Sequence, residues 1–375
     1  MSAVYIVADN IYSPIGATTA ENFEQVKQGI SGIKQHHNTA LADEPVYASL
    51  FDCADFKIDK QLTYTRFERL LIASVEDALK DSGIEAADKK TVLILSSTKG
   101  NISLLETEAD NPELNNRIAM HTSAKLVAAH FGFVNQPLVV SNACISGIMA
   151  ILTGMRLVQS GQYENAVIVG ADIITKFVLS GFQSFQAIST EPCRPFDKNR
   201  TGITLGEGAA TMVLSSNAEY SDKIKVLGGA VSNDANHISA PSRTGKELKQ
   251  AIEKALSIAG LKAGDIDLVS AHGTATSYND EMEAKAIALA GLDKVPLNSL
   301  KGYYGHTLGA AGLIESIISI QSLKQNLILP TLGFKTMGVS DAINVCTKLT
   351  PAQLKTCLKT ASGFGGCNAA VVFSK

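Results

Sequence analysis

The 375-residue chain draws 45% of its residues from the hydrophobic set and has a formal charge of -3, which suits a large buried core and offers no field for capturing nucleic acid. Its apolar runs are too short or too interrupted to span a bilayer, and Asp9 and Asn10 cut short the run over 4–8 before it resembles a secretory signal. Six irregularly spaced cysteines, without a closely spaced metal-ligand pair, fit reduced cytoplasmic thiols better than a disulfide frame.

In chain order, residues 4–8 form a β-prone run. A helical pattern ending at Gly83 leads into a strand over 91–97, and a helix is predicted over 123–130. The apolar run from Leu138 becomes a helix over 147–159, with Cys144 at the junction, and a strand follows over 166–169. After a polar crossing at 215–223 come a helix over 245–258, a strand over 266–271, a helix over 312–323 and a closing strand over 371–373. Each half reads as strand, helix, strand, helix, then a hairpin, which predicts layered α/β architecture.

The chain also resembles itself. Val75-Glu-Asp-Ala-Leu-Lys-Asp-Ser-Gly-Ile84 is echoed by Ile252-Glu-Lys-Ala-Leu-Ser-Ile-Ala-Gly-Leu261, and Gly206–Ser215 by Gly365–Ser374. The junction at Val139–Asn142 has a counterpart at Pro296–Asn298. Three echoes in one order predict a duplication, with halves over 1–216 and 217–375. Two sheets would then share central helices beginning at Cys144 and near His306.

Cys144, His272 and His306 all stand in glycine-rich strand-to-helix junctions. A cysteine at a helix start gains thiolate stabilisation from unpaired N–H groups, and histidines can donate to a reacting carbonyl, so the three suit thioester chemistry. Taken singly, each has a plainer reading: core packing for Cys144, a turn for His272, a helix cap for His306. Cys367 is also flanked by glycines, but it enters a β-run and is read as packing.

Asn142-Ala-Cys144, Arg194-Pro-Phe-Asp197, Gly206-Glu-Gly-Ala209, Ala271-His-Gly-Thr-Ala-Thr276, Lys301-Gly-Tyr-Tyr-Gly-His-Thr-Leu-Gly-Ala-Ala-Gly312 and Gly363-Phe-Gly-Gly366 occur in order along the chain. Together they resemble the elongating β-ketoacyl-acyl carrier protein synthases of the thiolase superfamily. The resemblance implies a duplicated thiolase fold, two mixed sheets around shared central helices, usually assembled as a dimer. It implies that Cys144 accepts an acyl group from acyl carrier protein, and that His272 and His306 hold a malonyl thioester through neutral Nε–H groups during decarboxylation. A 3-oxoacyl product follows, as in fatty-acid or polyketide synthesis. Backbone N–H groups of Cys144 and Phe364 would form the oxyanion hole. The likeness further implies that Lys301 and Glu315 support the histidines, Thr274 and Thr276 contact pantetheine, Asp280 and Asn298 brace loops, and Phe364 gates the site. No metal or intrinsic cofactor is implied, because phosphopantetheine arrives on the carrier protein.

Some features depart from the family pattern. Ile145 follows the nucleophile where relatives often have alanine, which adds volume beside the expected acyl entrance. The stretch 101–120 is unusually acidic, and Lys198 and Arg200 are candidate carrier contacts beside an Arg194–Asp197 brace. These changes predict a specialised polyene or polyketide-like extension. The alternative is a non-catalytic chain-length partner in a heterodimer, although such partners lose the cysteine or the histidines. A thiolase using coenzyme A fits less well, for want of its usual second catalytic cysteine.

Overall fold

A computed structural model describes residues 2–52, 64–80, 82–236 and 240–375. Cys53 and His237 lie outside the described residues.

Ten strands make the main sheet framework. The first five are β1 (Tyr5–Tyr12), β2 (Thr91–Ser96), β3 (Leu138–Val140), β4 (Asn165–Asp172) and β5 (Gly208–Ser215). The second five are β6 (Lys225–Asn233), β7 (Leu268–Ser270), β8 (Leu297–Asn298), β9 (Thr356–Gly363) and β10 (Cys367–Ser374). The spatial order is β3-β2-β4-β5-β1-β6-β10-β9-β7-β8. Each half therefore has its strands in the order third, second, fourth, fifth, first. In both halves the third, second and fourth strands are parallel, and the fifth is antiparallel to its two neighbours. The two mixed five-stranded sheets join where β1 meets β6 at Tyr5 and Lys225.

The major helices are α1 (Arg66–Lys80), α2 (Met120–Phe131), α3 (Ser146–Gln159), α4 (Lys176–Ser184), α5 (Lys246–Ala259), α6 (Ser277–Leu289) and α7 (Ala311–Gln325). The echoed segments occupy equivalent places: α1 matches α5, β3 matches β8, and β5 matches β10. The strands expected before the Cys144 and His306 junctions are β3 and β8, which have only three and two residues.

Two helices are held in common by the sheets. Ile148, Ile151, Leu152 and Met155 of α3 and Leu313, Ile314, Ile317 and Ile318 of α7 share one core with strands of both halves. Each sheet covers its other face with its own helices: α1 and α2 on the first, α5 and α6 on the second. α7 is buried on every side from Ala311 to Ile320, as expected of a helix that is apolar all round. Ser316 and Ser319 on it return their hydroxyls to the carbonyls of Gly312 and Glu315. Glu315 is its one buried charge.

The central helices approach backbone to backbone. A Cβ on Gly312 would lie 2.6 Å from the Ile148 nitrogen, and one on Gly147 would lie 2.8 Å from the Leu313 nitrogen. Neither neighbour is a side chain that can swing aside. Gly312→Ala is expected to cost roughly 1–3 kcal/mol by overpacking, read as a lower urea midpoint.

Candidate active site

Cys144 stands at the C-terminal end of β3, in a turn the sequence builds from small residues. Ala143 has a left-handed φ of 42°, and the Ser146 hydroxyl accepts from the Asn142 N–H at 2.8 Å while donating to the Ala143 carbonyl at 2.6 Å. This closed turn keeps Cys144 and Ile145 ahead of the helix, so α3 starts at Ser146 and not at the cysteine. A Cβ on Gly363 would lie 3.0 Å from the Cys144 nitrogen, so only glycine lets the Phe364 loop come this close.

His272 follows β7 in a loop held from below by α6. Both Glu283 carboxylate oxygens accept backbone N–H groups, from His272 and Gly273, each at 2.7 Å. Asp280 accepts from Thr274 and Phe196 at 2.9 and 2.7 Å, bearing out its expected bracing role. Asn298 braces a second loop through the Leu329 carbonyl at 3.1 Å. Burial pushes the Asp280 carboxyl up to about 7 despite the Phe196 N–H, with Glu283 adding to the rise.

His306 precedes a 3-10 turn at Leu308–Ala310 that leads into α7. The Sγ of Cys144 and a ring nitrogen from each histidine lie within 4.8 Å of one another. The two imidazoles meet edge to face with centroids 5.1 Å apart.

The ring protons can be placed from the neighbours. His306 Nδ1 accepts from the Leu308 N–H at 3.3 Å, and His272 Nδ1 lies 3.3 Å from the Lys301 ammonium, which can only donate. Each neutral ring therefore carries its proton on Nε2. Burial lowers both imidazole pKa values well below the ordinary range, and the charges of Lys301 and Lys359 lower them further. His306 Nε2 is buried without a hydrogen-bond partner in the described structure. Three atoms this close are also spaced as metal ligands are, but two Nε–H donors backed by two ammonium groups form an environment for developing negative charge.

Lys301 and Glu315 pair at 2.6 Å, with side chains 0% and 3% exposed. Burial would raise the Glu315 carboxyl, but Lys301 and Lys359 hold it below the usual range. Three further residues of the site do not stand out in the sequence: Lys359, whose signal is a lysine inside the apolar β9, Glu283, which stands three residues past Asp280, and Asp172 at the end of β4. That buried carboxylate accepts from Ser97, Thr98, Lys99 and Gly309, and so ties the His306 turn to the end of β2.

Cys144, His272 and His306 line a cavity of about 300 Å³ together with Thr274, Thr276 and Phe364. The two threonine hydroxyls lie 2.9 Å apart, and Thr276 also caps α6. Phe364 packs against Phe182, tilted, and Phe185, edge to face, with centroids 5.5 and 5.2 Å away. The structure does not bring Ile145 to this cavity: it is 1% exposed and packs into the core between the sheets. Arg194 pairs with Glu191 at 2.6 Å, whereas Asp197 accepts backbone N–H groups from Asn199, Lys335 and Thr336. Arg200 turns inward to the carbonyls of Asp197 and Gly338, which removes it as a free carrier contact.

Comparison with known proteins agrees with this geometry. Residues 1–219 match the family model for the β-ketoacyl synthase N-terminal domain, and 224–335 match that for the C-terminal domain. The chain belongs to the β-ketoacyl synthase family. It is 30% identical to 3-oxoacyl-[acyl-carrier-protein] synthase 2 of Vibrio cholerae, over 99% of both chains. It is 26% identical to the chloroplastic synthase II of Arabidopsis thaliana, over 99% of this chain and 75% of that one. The ishigamide ketosynthase/chain length factor superposes with a TM-score of 0.90 at 26% identity, covering 100% and 99% of the two chains. A β-ketoacyl synthase from Burkholderia phymatum has the same fold at a TM-score of 0.90. The chain is thus a condensing enzyme of fatty-acid or polyketide synthesis with the duplicated thiolase fold.

One electrostatic expectation changes. Burial pushes the Cys144 thiol up to about 12, with Cys367 adding and Lys301 opposing, which favours the protonated form over the thiolate expected at a helix start. Site-resolved alkylation of Cys144 by iodoacetamide should rise about tenfold per pH unit through pH 9. A plateau below pH 8 would show that the helix end outweighs burial.

Proposed function

We propose that the chain extends an acyl thioester with malonyl-acyl carrier protein to give a 3-oxoacyl-acyl carrier protein. The observation that carries this reading is the pair of buried imidazoles, each with a ring nitrogen within 4.8 Å of the Cys144 sulfur and with Nδ1 facing a donor, which leaves the proton of the neutral ring on Nε2.

In the first half-reaction the Cys144 sulfur attacks the acyl carbonyl while the backbone N–H groups of Cys144 and Phe364 stabilise the oxyanion. Collapse transfers the acyl group to sulfur, and the departing pantetheine thiolate takes up the proton lost by Cys144. In the second, the malonyl thioester oxygen lies between the Nε–H groups of His272 and His306. The bond to the carboxylate breaks, carbon dioxide leaves, and the electron pair becomes an enolate held by the two donors. The enolate carbon attacks the Cys144 thioester, the carbon–sulfur bond breaks, and the returning thiolate is reprotonated.

Thr274 and Thr276 meet pantetheine on the way in, and Phe364 swings with its glycine neighbours to admit the second substrate. Lys301 and Glu315 keep His272 oriented. The edge strand β3, paired only with β2 and exposing Leu138, supports a dimer. We place the enzyme in the cytoplasm with its carrier protein. Among the described residues no helix is long and apolar enough to cross a membrane.

The likeness to a ketosynthase/chain length factor supports a second reading, in which this chain is the catalytic member of a mixed pair that extends polyketide-like chains. Unsaturated acyl carriers should then be extended several-fold faster than saturated ones of equal length.

Intact-mass analysis after mixing with acyl-acyl carrier protein should show an adduct on wild type and none on Cys144→Ala. His306→Ala should still load but should lose about 10²-fold or more in condensation, the scale of one missing oxyanion donor. Robust condensation by Cys144→Ala would sink the covalent mechanism.

A further inference from the structure

Behind the two histidines lies a buried charge array that the mechanism above uses only in part. Lys359 is 0% exposed in the middle of β9, a strand otherwise composed of apolar and hydroxyl residues. Its ammonium lies 2.6 Å from Glu315 Oε2, opposite the oxygen that pairs with Lys301. It also donates to the carbonyls of Ala271 at 3.0 Å and Ser270 at 3.3 Å, the two residues immediately before His272. The next residue on the strand, Thr360, donates to Glu283, which in turn holds the His272 N–H. The array thus joins β9, α7, the end of β7 and α6 around a single imidazole.

Burying an ammonium is costly unless it is paired, and Lys359 has an ion pair with Glu315 and hydrogen bonds to two carbonyls. We propose that Lys359 is a positioning residue for the condensation. In this role its ammonium pins the Ser270 and Ala271 carbonyls to Glu315, aims His272 Nε2 at the malonyl carbonyl, and keeps positive charge behind both imidazoles. Lys359 touches no substrate and acts through His272 and His306. The inference rests on the condensing reaction proposed above.

Two consequences separate this role from simple packing. The groups bearing on the imidazoles are Cys144, Lys301, Lys359, Glu315, Glu283 and each other's rings. Of these, the two ammonium groups oppose imidazolium formation, and the carboxylates favour it. Removing Lys359 leaves Glu315 and Glu283 with less compensation, so the histidine pKa values rise. Protonated histidine then appears at higher pH, and the acid limb of condensation moves upward.

The experiment compares the full-length wild type with Lys359→Met and Lys359→Gln. Condensation is followed from pH 5.5 to 8.5, and the ring carbons of labelled histidine are titrated by NMR, with His272→Asn and His306→Asn giving the assignments. Cys144 loading by an acyl carrier serves as the check on folding. Lys359→Met should load as wild type does, lose about tenfold in condensation at pH 8, and lose more at pH 6. At least one of the two imidazoles should begin to titrate within the range where the wild-type rings stay neutral. Lys359→Gln, which keeps a donor without the charge, should recover part of the rate at pH 8 but retain the shifted acid limb. It also serves if the methionine variant does not fold. A folded variant whose imidazole titration and acid limb match wild type would overturn the proposal. If wild type itself fails to condense, the functional reading falls, and with it the condensation role. The NMR arm then shows separately whether Lys359 keeps the rings neutral.

Discussion

The site depends on a carboxylate placed where none would ordinarily be tolerated. Glu315 sits on α7, the helix buried on every side between the two sheets, and survives there because Lys301 and Lys359 meet its two oxygens at 2.6 Å each. A pair of buried opposite charges is weak evidence for stability, since desolvation consumes much of the attraction. Its value here lies in orientation. The array sets which ring nitrogen of His272 carries the proton, and its excess positive charge holds both imidazoles in the form that can donate.

Duplication explains why the catalytic groups come from such distant stretches of chain. The two halves have the same strand order and meet through α3 and α7, so the C-terminal ends of equivalent strands face one cavity. Cys144 follows β3 in the first half, while His272 follows β7 and His306 follows the β8 region in the second. The glycines at the helix crossing and beneath the Phe364 loop bring the halves to backbone contact. Asp172 and Glu283 repeat one device on the two sides, a buried carboxylate that collects backbone N–H groups from a catalytic loop.

The cavity suits the proposed condensation more plainly than the proposed acyl transfer. The two imidazoles keep their Nε2 protons available to developing negative charge, while burial pushes the Cys144 thiol up to about 12. In the proposed acyl transfer the sulfur gives up its proton as the thioester enters. Phe182, Phe364 and Phe185 pack together in the lining of the same cavity.

Much of this was legible in the sequence. The strand and helix patterns, the internal echoes and the glycine-rich junctions around Cys144, His272 and His306 are local signals, because period, turn chemistry and motif spacing are written along the chain. The short strands β3 and β8 were legible only through their junction motifs, since two or three residues carry no period. The inward turn of Ile145, whose direction is set by the Ser146-closed turn, was not legible, nor was the pairing of Arg194 with Glu191 in place of Asp197. Lys359 shows the limit most clearly. A lysine in a β-run reads as an edge or exposed residue until the fold shows Glu315 and two carbonyls around it. The sequence by itself determined the layered, duplicated architecture and the identity of the three reacting groups. Only the tertiary structure decided their protonation and aim, because those depend on burial and on charges contributed by segments far apart in the chain.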